Sequence, residues 1–353
     1  MGILDKYVGK QVVLTIILVS IFLLLLTGLI TFIDQMRYIG RGEIGFTFLI
    51  GYLGLQLPGL FVLFFPIAVL LGGVIGLGLL ARNSELIILQ SVGISRAGIV
   101  LSALKLVFPL ILLVFAIGEV AVPRLEQYAA NQYNLYAAQG NISVTYDGLW
   151  LREGESFIGV RYTMSDNSLM GIVRYDFNGD ELVAVSRAKR GTYEEGSWVM
   201  HDVDKIIFAA AEVVPTHLDR ETWWLHLNPE RVEILGLRGR DLTIDGLLDY
   251  INYLEDNGQD TASYRLELYN KIMSPFTMVV MLLLAASTVF GPLRSMTMGA
   301  RVVAGIALGF SFYVANQFGA PFALVYGLPP ILGASLPSLI FLLLALYLLR
   351  AKT

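Results

Sequence analysis

Cysteine is absent from all 353 residues, charged residues make up only 15 %, and histidine occurs three times. Without cysteine there is no disulfide framework, no thiol nucleophile, no cysteine-ligated metal and no lipidated cysteine. His201, His217 and His226 show no metal-ligand spacing, and no H-E-x-x-H occurs. G-x-x-x-x-G-K-[ST] is also missing, so the chain carries no P-loop of its own. Gly93-Ile94-Ser95-Arg96-Ala97 and Gly333-Ala334-Ser335-Leu336-Pro337 both lack the final glycine of a nucleophile elbow. The pairs Glu153/Glu155 and Glu194/Glu195 fall at expected hairpin turns, where solvated turn chemistry accounts for them. These absences predict a chain that is not an enzyme in its own right and holds no metal or cofactor.

What is present is apolar: 56 % of residues, with a mean hydropathy of +0.66. The net charge of −4 hides a segregation. Residues 124–269 carry 24 Asp/Glu against 13 Lys/Arg, and the remainder carries 5 against 12. Six apolar stretches reach the roughly 20 residues that cross a bilayer core, at about 11–33, 48–80, 98–122, 270–291, 302–320 and 329–349. The first is too long for the apolar core of a signal peptide and runs into Asp34 and Arg37 without a cleavage site, so it reads as a retained span. With the N-terminus inside, the inner segments hold nine Lys/Arg (Lys6, Lys10, Arg82, Arg96, Lys105, Arg294, Arg301, Arg350 and Lys352). The short outer loops hold two, Arg37 and Arg41. That asymmetry predicts both termini in the cytoplasm and the acidic block outside. No basic face is left over for nucleic acid. The second stretch contains Pro58 and Pro66 with glycines at 54, 59, 72, 73, 76 and 78, a composition that fits either a hinge or close helix packing.

Within the acidic block the pattern changes to short alternating runs. Residues 149–152 and 157–160 flank Glu153-Gly154-Glu155, residues 172–177 and 182–185 flank Asn178-Gly179-Asp180, and residues 192–193 and 198–200 flank Glu194-Glu195-Gly196. Three such turns predict antiparallel hairpins in a sandwich or jelly roll. Residues 243–257 read as an amphipathic helix with Leu247, Leu248, Ile251 and Leu254 inward and Gly258 as its stop. The expected organisation is therefore a membrane α-helical frame in a 3 + 3 arrangement: helices 1–3 over 1–123, an inserted all-β domain with its connecting helix over 124–269, and helices 4–6 over 270–353.

Between the second and third spans, Asn83 or Ser84 can cap a helix of two to three turns over about 83–92. Glu85 falls in its first turn, where the dipole favours an anion, and Gly93 stops it. Its apolar flank, Leu86 and Leu89, fits either a groove on a cytoplasmic partner or the lipid interface.

Ser84 through Arg96 resembles the coupling helix of the LptF/LptG permeases of lipopolysaccharide export. Three further stretches carry the resemblance: Phe32-Ile33-Asp34-Gln35, residues 290–295 with 298–303, and Tyr326-Gly327-Leu328-Pro329-Pro330-Ile331. Together they favour the branch whose members pair with an LptF-like permease over LptF itself. A membrane-anchored assembly or signalling protein is the alternative from another class. The resemblance implies a permease subunit of an ABC-type exporter in a bacterial inner membrane. It would form a heterodimer with an LptF-like permease above an LptB-like ATPase dimer that binds the ATP. LptC would associate with it, and lipopolysaccharide would pass along periplasmic β-jellyroll domains toward LptA. By the same resemblance Glu85, Leu86, Leu89 and Arg96 are the residues of ATPase coupling, and Arg37 and Arg41 meet lipid phosphates, for which arginine offers bidentate donors. Dipole stabilisation at Glu85, a positive-inside anchor at Arg96 and headgroup snorkelling at Arg37 and Arg41 are the plainer readings. Thr31 and Tyr38 stand where relatives carry basic residues, so the phosphate site is less basic here. Glu119, near the end of the third span, is either a functional intramembrane acid or one that reaches water or Arg124.

Overall fold

The computed structural model describes residues 2–40, 44–138, 149–163, 168–179, 181–194, 196–209, 212–223, 242–256, 258–290 and 297–350. In chain order the described elements begin with α1 (Ile3–Met36), α2 (Phe46–Arg82), a short α3 (Glu85–Ser91) and α4 (Arg96–Ala116). A π-helical turn at Ile117–Ala121 joins α4 to α5 (Val122–Ala138). Six strands follow: β1 (Leu149–Glu153), β2 (Ser156–Thr163), β3 (Leu169–Asn178), β4 (Glu181–Glu194), β5 (Ser197–Ala209) and β6 (Glu212–Trp223). The chain then forms α6 (Ile244–Asp256), α7 (Ala262–Phe290), α8 (Met298–Val325) and α9 (Pro330–Arg350). Two compact units result. Met1–Ile39, Gly45–Ala129 and Ala262–Thr353 make the helical one, and Gly40–Ile44 with Ala130–Thr261 make the other.

Among the described residues, six helices of the helical unit are long and apolar enough to cross a membrane, three before the insertion and three after it. Each lies over one of the apolar stretches of the sequence. Glycine decides how three of them pack. A Cβ on Gly72 would lie 2.5 Å from the Cα of Ile16, and one on Gly73 would lie 2.7 Å from the Cβ of Ala285. The backbones of α1 and α2 therefore approach closely, and Thr15 Oγ1 on α1 donates to the Gly72 carbonyl at 2.8 Å. At positions 72, 73 and 76 the glycine-rich stretch is a packing seam; beside Pro58, Gly59 instead makes room for the Glu126 carboxylate. The core under this seam joins Val8, Val12 and Ile16 to Leu70, Val74, Val107, Met281 and Ala285, all buried.

In the other unit, the three hairpins of the sequence reading are present: Glu153 pairs with Ser156, Asn178 with Glu181, and Glu194 with Ser197. Gly154, Gly179 and Gly196 take the positive φ that their turns demand. The described strands form one antiparallel sheet in the order β1-β2-β3-β4-β5-β6, and that sheet folds over on itself. Gly171 (φ +63°) and Asp202 (φ +56°) hold left-handed backbone at matching heights on β3 and β5. Such a residue reverses the alternation of faces. Leu169 and Ile172 on β3 and Met200 and Val203 on β5 are accordingly buried at spacings of three instead of two, and Ala188 and Gly191 on β4 between them keep the same spacing. Across this crease the halves meet. The Arg174 guanidinium lies 5.5 Å from the Trp223 ring centre, and Lys205 Nζ is 3.0 Å from Glu221 Oε1. A flat sheet rising about 3.3 Å per residue would hold those partners apart. One creased sheet thus supplies both layers of a sandwich, with Ile158, Ile172, Trp198, Met200, Val203 and Trp223 between them and Tyr250 and Tyr253 of α6 packed against them. On α6 itself Leu247, Ile251 and Leu254 are buried and Leu248 is exposed. Thr243 Oγ1 caps the Gly246 amide at 3.0 Å, and Gly258 ends the helix with positive φ.

Candidate functional site

Three groups of polar side chains stand out against the apolar helical unit, and the first surrounds α3. Ser84 precedes α3 with φ +61° and makes no side-chain cap, whereas Asn83 Nδ2 donates to Glu85 Oε1 at 3.3 Å. Glu85 Oε2 also accepts from the Tyr7 hydroxyl of α1 at 2.7 Å. A contact between residues 78 positions apart gave no signal in the sequence. Leu86 is only 3 % exposed and belongs to the chain's own core, and Leu89 packs against that core. The outward apolar face is instead Ile87, Ile88 and Val92, at 51 %, 60 % and 72 % exposure. Helical spacing decides this: Leu86 and Leu89, three apart, share the inward stripe, and residues 87, 88 and 91 fall opposite. Arg96, the first residue of α4, donates to the Phe290 carbonyl at 3.4 Å and so satisfies an end carbonyl of α7, where the helix dipole favours a cation. The structure thus brings Glu85, Leu86 and Leu89 together on one short helix and directs Arg96 to a different partner.

The second group lies at the other end of α1. Arg37 closes the helix and pairs with Asp34 at 2.7 Å, both side chains being well exposed. Such a pair holds the guanidinium at the surface with donors still available. Arg41, the second basic residue expected here, lies outside the described residues. One turn inward, Gln35 Nε2 donates to Gln56 Oε1 on α2 at 2.7 Å.

The third group is an ion pair inside the helical frame. Glu119 sits in the π-helical turn and Lys271 of α7 approaches it to 3.5 Å, with the side chains 21 % and 17 % exposed. This interhelical pairing had no signal in the sequence, where Glu119 and Lys271 stand 152 positions apart. π-Helical turns recur at functional positions because they swing a side chain out of the regular helical register.

In the creased-sheet unit, Ile158 and Trp198 are sealed in the core. Phe157, Val183, Ile206 and Phe208 are exposed. Pairing sets Phe157, Tyr175, Val185, Ile206 and Pro215 directly opposite one another across β2 to β6, an apolar row over five strands. On the same outward side, His217 Nδ1 lies 2.8 Å from Asp204, and Asp202 and Asp219 are within 4 Å of its Nε2. Asp204 above all, with Asp202 and Asp219 behind it, pushes the imidazole above its ordinary value. Asp202 also pairs with Lys189, which holds its carboxyl below the usual range. Glu194, one of the turn carboxylates, bonds Arg220 at 3.1 Å and is structural. Among the described residues no cluster of His, Asp or Glu has the geometry to hold a metal ion.

Comparison with known proteins agrees over the whole length. The profile of the family described as lipopolysaccharide export system permease LptF/LptG matches residues 6–351. The lipopolysaccharide export system permease protein LptG of Escherichia coli K12 is 39 % identical over 356 aligned positions, covering 100 % of this chain and 99 % of the relative. The LptG protein of Haemophilus influenzae Rd is 37 % identical over 352 positions, covering 99 % and 98 %. With six membrane-crossing helices split three and three around a β unit, and with similarity running from end to end, the chain belongs to the LptF/LptG family of lipopolysaccharide export system permeases.

Proposed function

We propose that this chain is the permease subunit of an ABC-type exporter that draws lipopolysaccharide from the outer leaflet of a bacterial inner membrane, while a separate ATPase hydrolyses ATP. The observation that carries the mechanism is the free apolar face of α3. Ile87, Ile88 and Val92 stand exposed beside the tethered Glu85, on a chain that has no P-loop. A short amphipathic helix of that kind fits a groove on a partner protein. Glu85, held by Tyr7 and Asn83, is the anion that directs it, and Leu86 and Leu89 anchor α3 to its own chain so that a push on it moves the helical core. In this reading both termini and α3 are cytoplasmic and the creased sheet is periplasmic. The ATPase is an LptB-like dimer, the second permease is LptF-like, and LptC and LptA are the onward partners. Arg37, with Arg41, meets the lipid phosphates through bidentate donors. The apolar row from Phe157 to Pro215 supports a path for acyl chains along the sheet.

The test is purification of the tagged chain from its native host in mild detergent, with mass spectrometry of all that is retained. A P-loop ATPase, a second six-span permease and a lipid A-containing lipid are expected; recovery of the chain alone, or with a signalling partner and no ATPase, would sink the proposal. Within the purified complex, Ile88→Glu should abolish ATPase retention, and Leu86→Ala should instead lower the melting temperature.

A further inference from the structure

Among the six membrane-crossing helices, α1 alone contains no proline. Pro58 and Pro66 lie in α2, Pro109 in α4, and Pro275, Pro321 and Pro337 in α7, α8 and α9. Proline removes a backbone hydrogen bond, so α1 is the span whose hydrogen-bond ladder no proline breaks. Its 34 residues reach about 50 Å at the helical rise. Both ends are tied to polar partners. At its beginning the Tyr7 hydroxyl reaches Glu85 of α3 at 2.7 Å. On the adjoining turn the buried Asp5 accepts from Ser102 at 2.6 Å and from Lys105 at 3.0 Å on α4. Gly9 lets α4 close in, since a Cβ there would lie 2.7 Å from the Cβ of Leu106. At its far end Gln35 Nε2 donates to Gln56 Oε1 of α2 at 2.7 Å, and Asp34 and Arg37 pair within α1 itself. The same uninterrupted helix thus joins the segment around α3 to the basic residue at the opposite end.

We propose that α1 is the rod that carries movement of α3 to the lipid-facing end, and that Tyr7 is the positioning residue that couples it to Glu85. This rests on the reading of α3 as the element that the ATPase moves. The hydroxyl-to-carboxylate bond is charge-assisted and directional, which suits it to transmit a displacement that apolar contacts would let slip. Asp5, Ser102 and Lys105 fix the rod's inner end to α4, so that α3 and α4 act on it together. The other spans, each bearing a proline, can bend around it.

The experiment uses the complete permease–ATPase complex in proteoliposomes containing lipopolysaccharide. Tyr7→Phe removes one oxygen and leaves the ring in place. It should cut lipopolysaccharide extracted per ATP about fivefold and keep ATP hydrolysis within about twofold. Because the chain has no cysteine, single cysteines introduced at the exposed Met36 and Ile331 can carry spin labels specifically. The distance between them should change with nucleotide in the parent complex and cease to change in Tyr7→Phe. An unchanged yield per ATP overturns the proposal, as does a nucleotide response that survives a fallen yield, or a parallel loss of hydrolysis and extraction. Glu85→Ala in the same assay separates the two levels. If it alters neither hydrolysis nor extraction, α3 is not the coupling element at all. If it is defective while Tyr7→Phe behaves as the parent, only the rod fails.

Discussion

The helical unit and the creased-sheet unit solve opposite problems. In the helical unit the chain's own apolar surface cannot drive helices together once lipid replaces water, so contact comes from small residues and a few polar ties. Gly72 against Ile16, Gly73 against Ala285, Thr15 to the Gly72 carbonyl and Glu119 to Lys271 are of this kind. Large apolar side chains remain on the outside, Leu18, Phe22 and Leu25 of α1 among them. In the sheet unit the reverse holds: Trp198, Trp223 and Met200 go inside, and the ion pairs Lys189–Asp202 and Arg220–Glu194 lie outside. The hydrophobic effect dominates there, and surface ion pairs contribute little. The comparison teaches that each unit should respond to a different class of substitution.

The largest expected effect lies in the helical seam. Gly72→Val drives a side chain into the backbone at Ile16, a clash that neighbouring rotamers cannot relieve, and overpacking of this kind costs about 1–3 kcal/mol or more. Monodisperse protein in detergent should largely disappear. All four tryptophans (Trp150, Trp198, Trp223 and Trp224) lie in the inserted block, so their emission should stay at its folded wavelength. A red shift would show that the two units do not stand independently.

Next comes the ion pair. Glu119→Gln leaves the Lys271 ammonium without its partner in a largely buried place, and should cost about 2 kcal/mol, less than the roughly 3–5 kcal/mol of a fully buried pair. The double variant Glu119→Gln/Lys271→Met should recover most of it in thermal melts. Additive losses would mean that the two side chains do not interact.

Asp202 tests the crease. Asp202→Val places a β-branched residue at φ +56° and should destabilise the sheet by about 1–2 kcal/mol, read by tryptophan emission in urea. Asp202→Gly, which fits that backbone but loses Lys189 equally, should do less harm. Equal losses would assign the effect to the ion pair and would remove the argument from backbone strain.

The smallest effect is titration of His217. Its folded value lies above its unfolded value of 6.5, chiefly through Asp204, so its contribution is complete below that value and fades as pH rises through the folded one. The tryptophan-detected melting temperature should decline slightly from pH 6 to pH 8, and His217→Ala should flatten the decline. Asp202, shifted down by Lys189, acts only in acid, its contribution being lost as pH falls through its lowered value. Added salt should shrink both, because the groups are exposed.

Much of this protein is written locally, and the local part was legible. Apolar runs of about 20 residues or more determine the six spans, because transfer free energy sums along a helix whatever its neighbours. Asn178-Gly179 and the other glycine turns determine the three hairpins, because positive φ is a property of single residues. The short helix at Glu85–Ser91 was also legible from its charge and its glycine stop. Tertiary structure decided the rest. Leu86 and Ile88 are equally apolar in sequence, and only the core that gathers from α1, α2 and α4 makes one of them inward and the other free. Asp202 looks like any strand acid in sequence; its left-handed backbone and its pairing with Lys189 exist only in the folded sheet. Tyr7 meets Glu85, and Glu119 meets Lys271, across 78 and 152 residues. No propensity or period reaches that far, because such contacts depend on where whole helices come to rest.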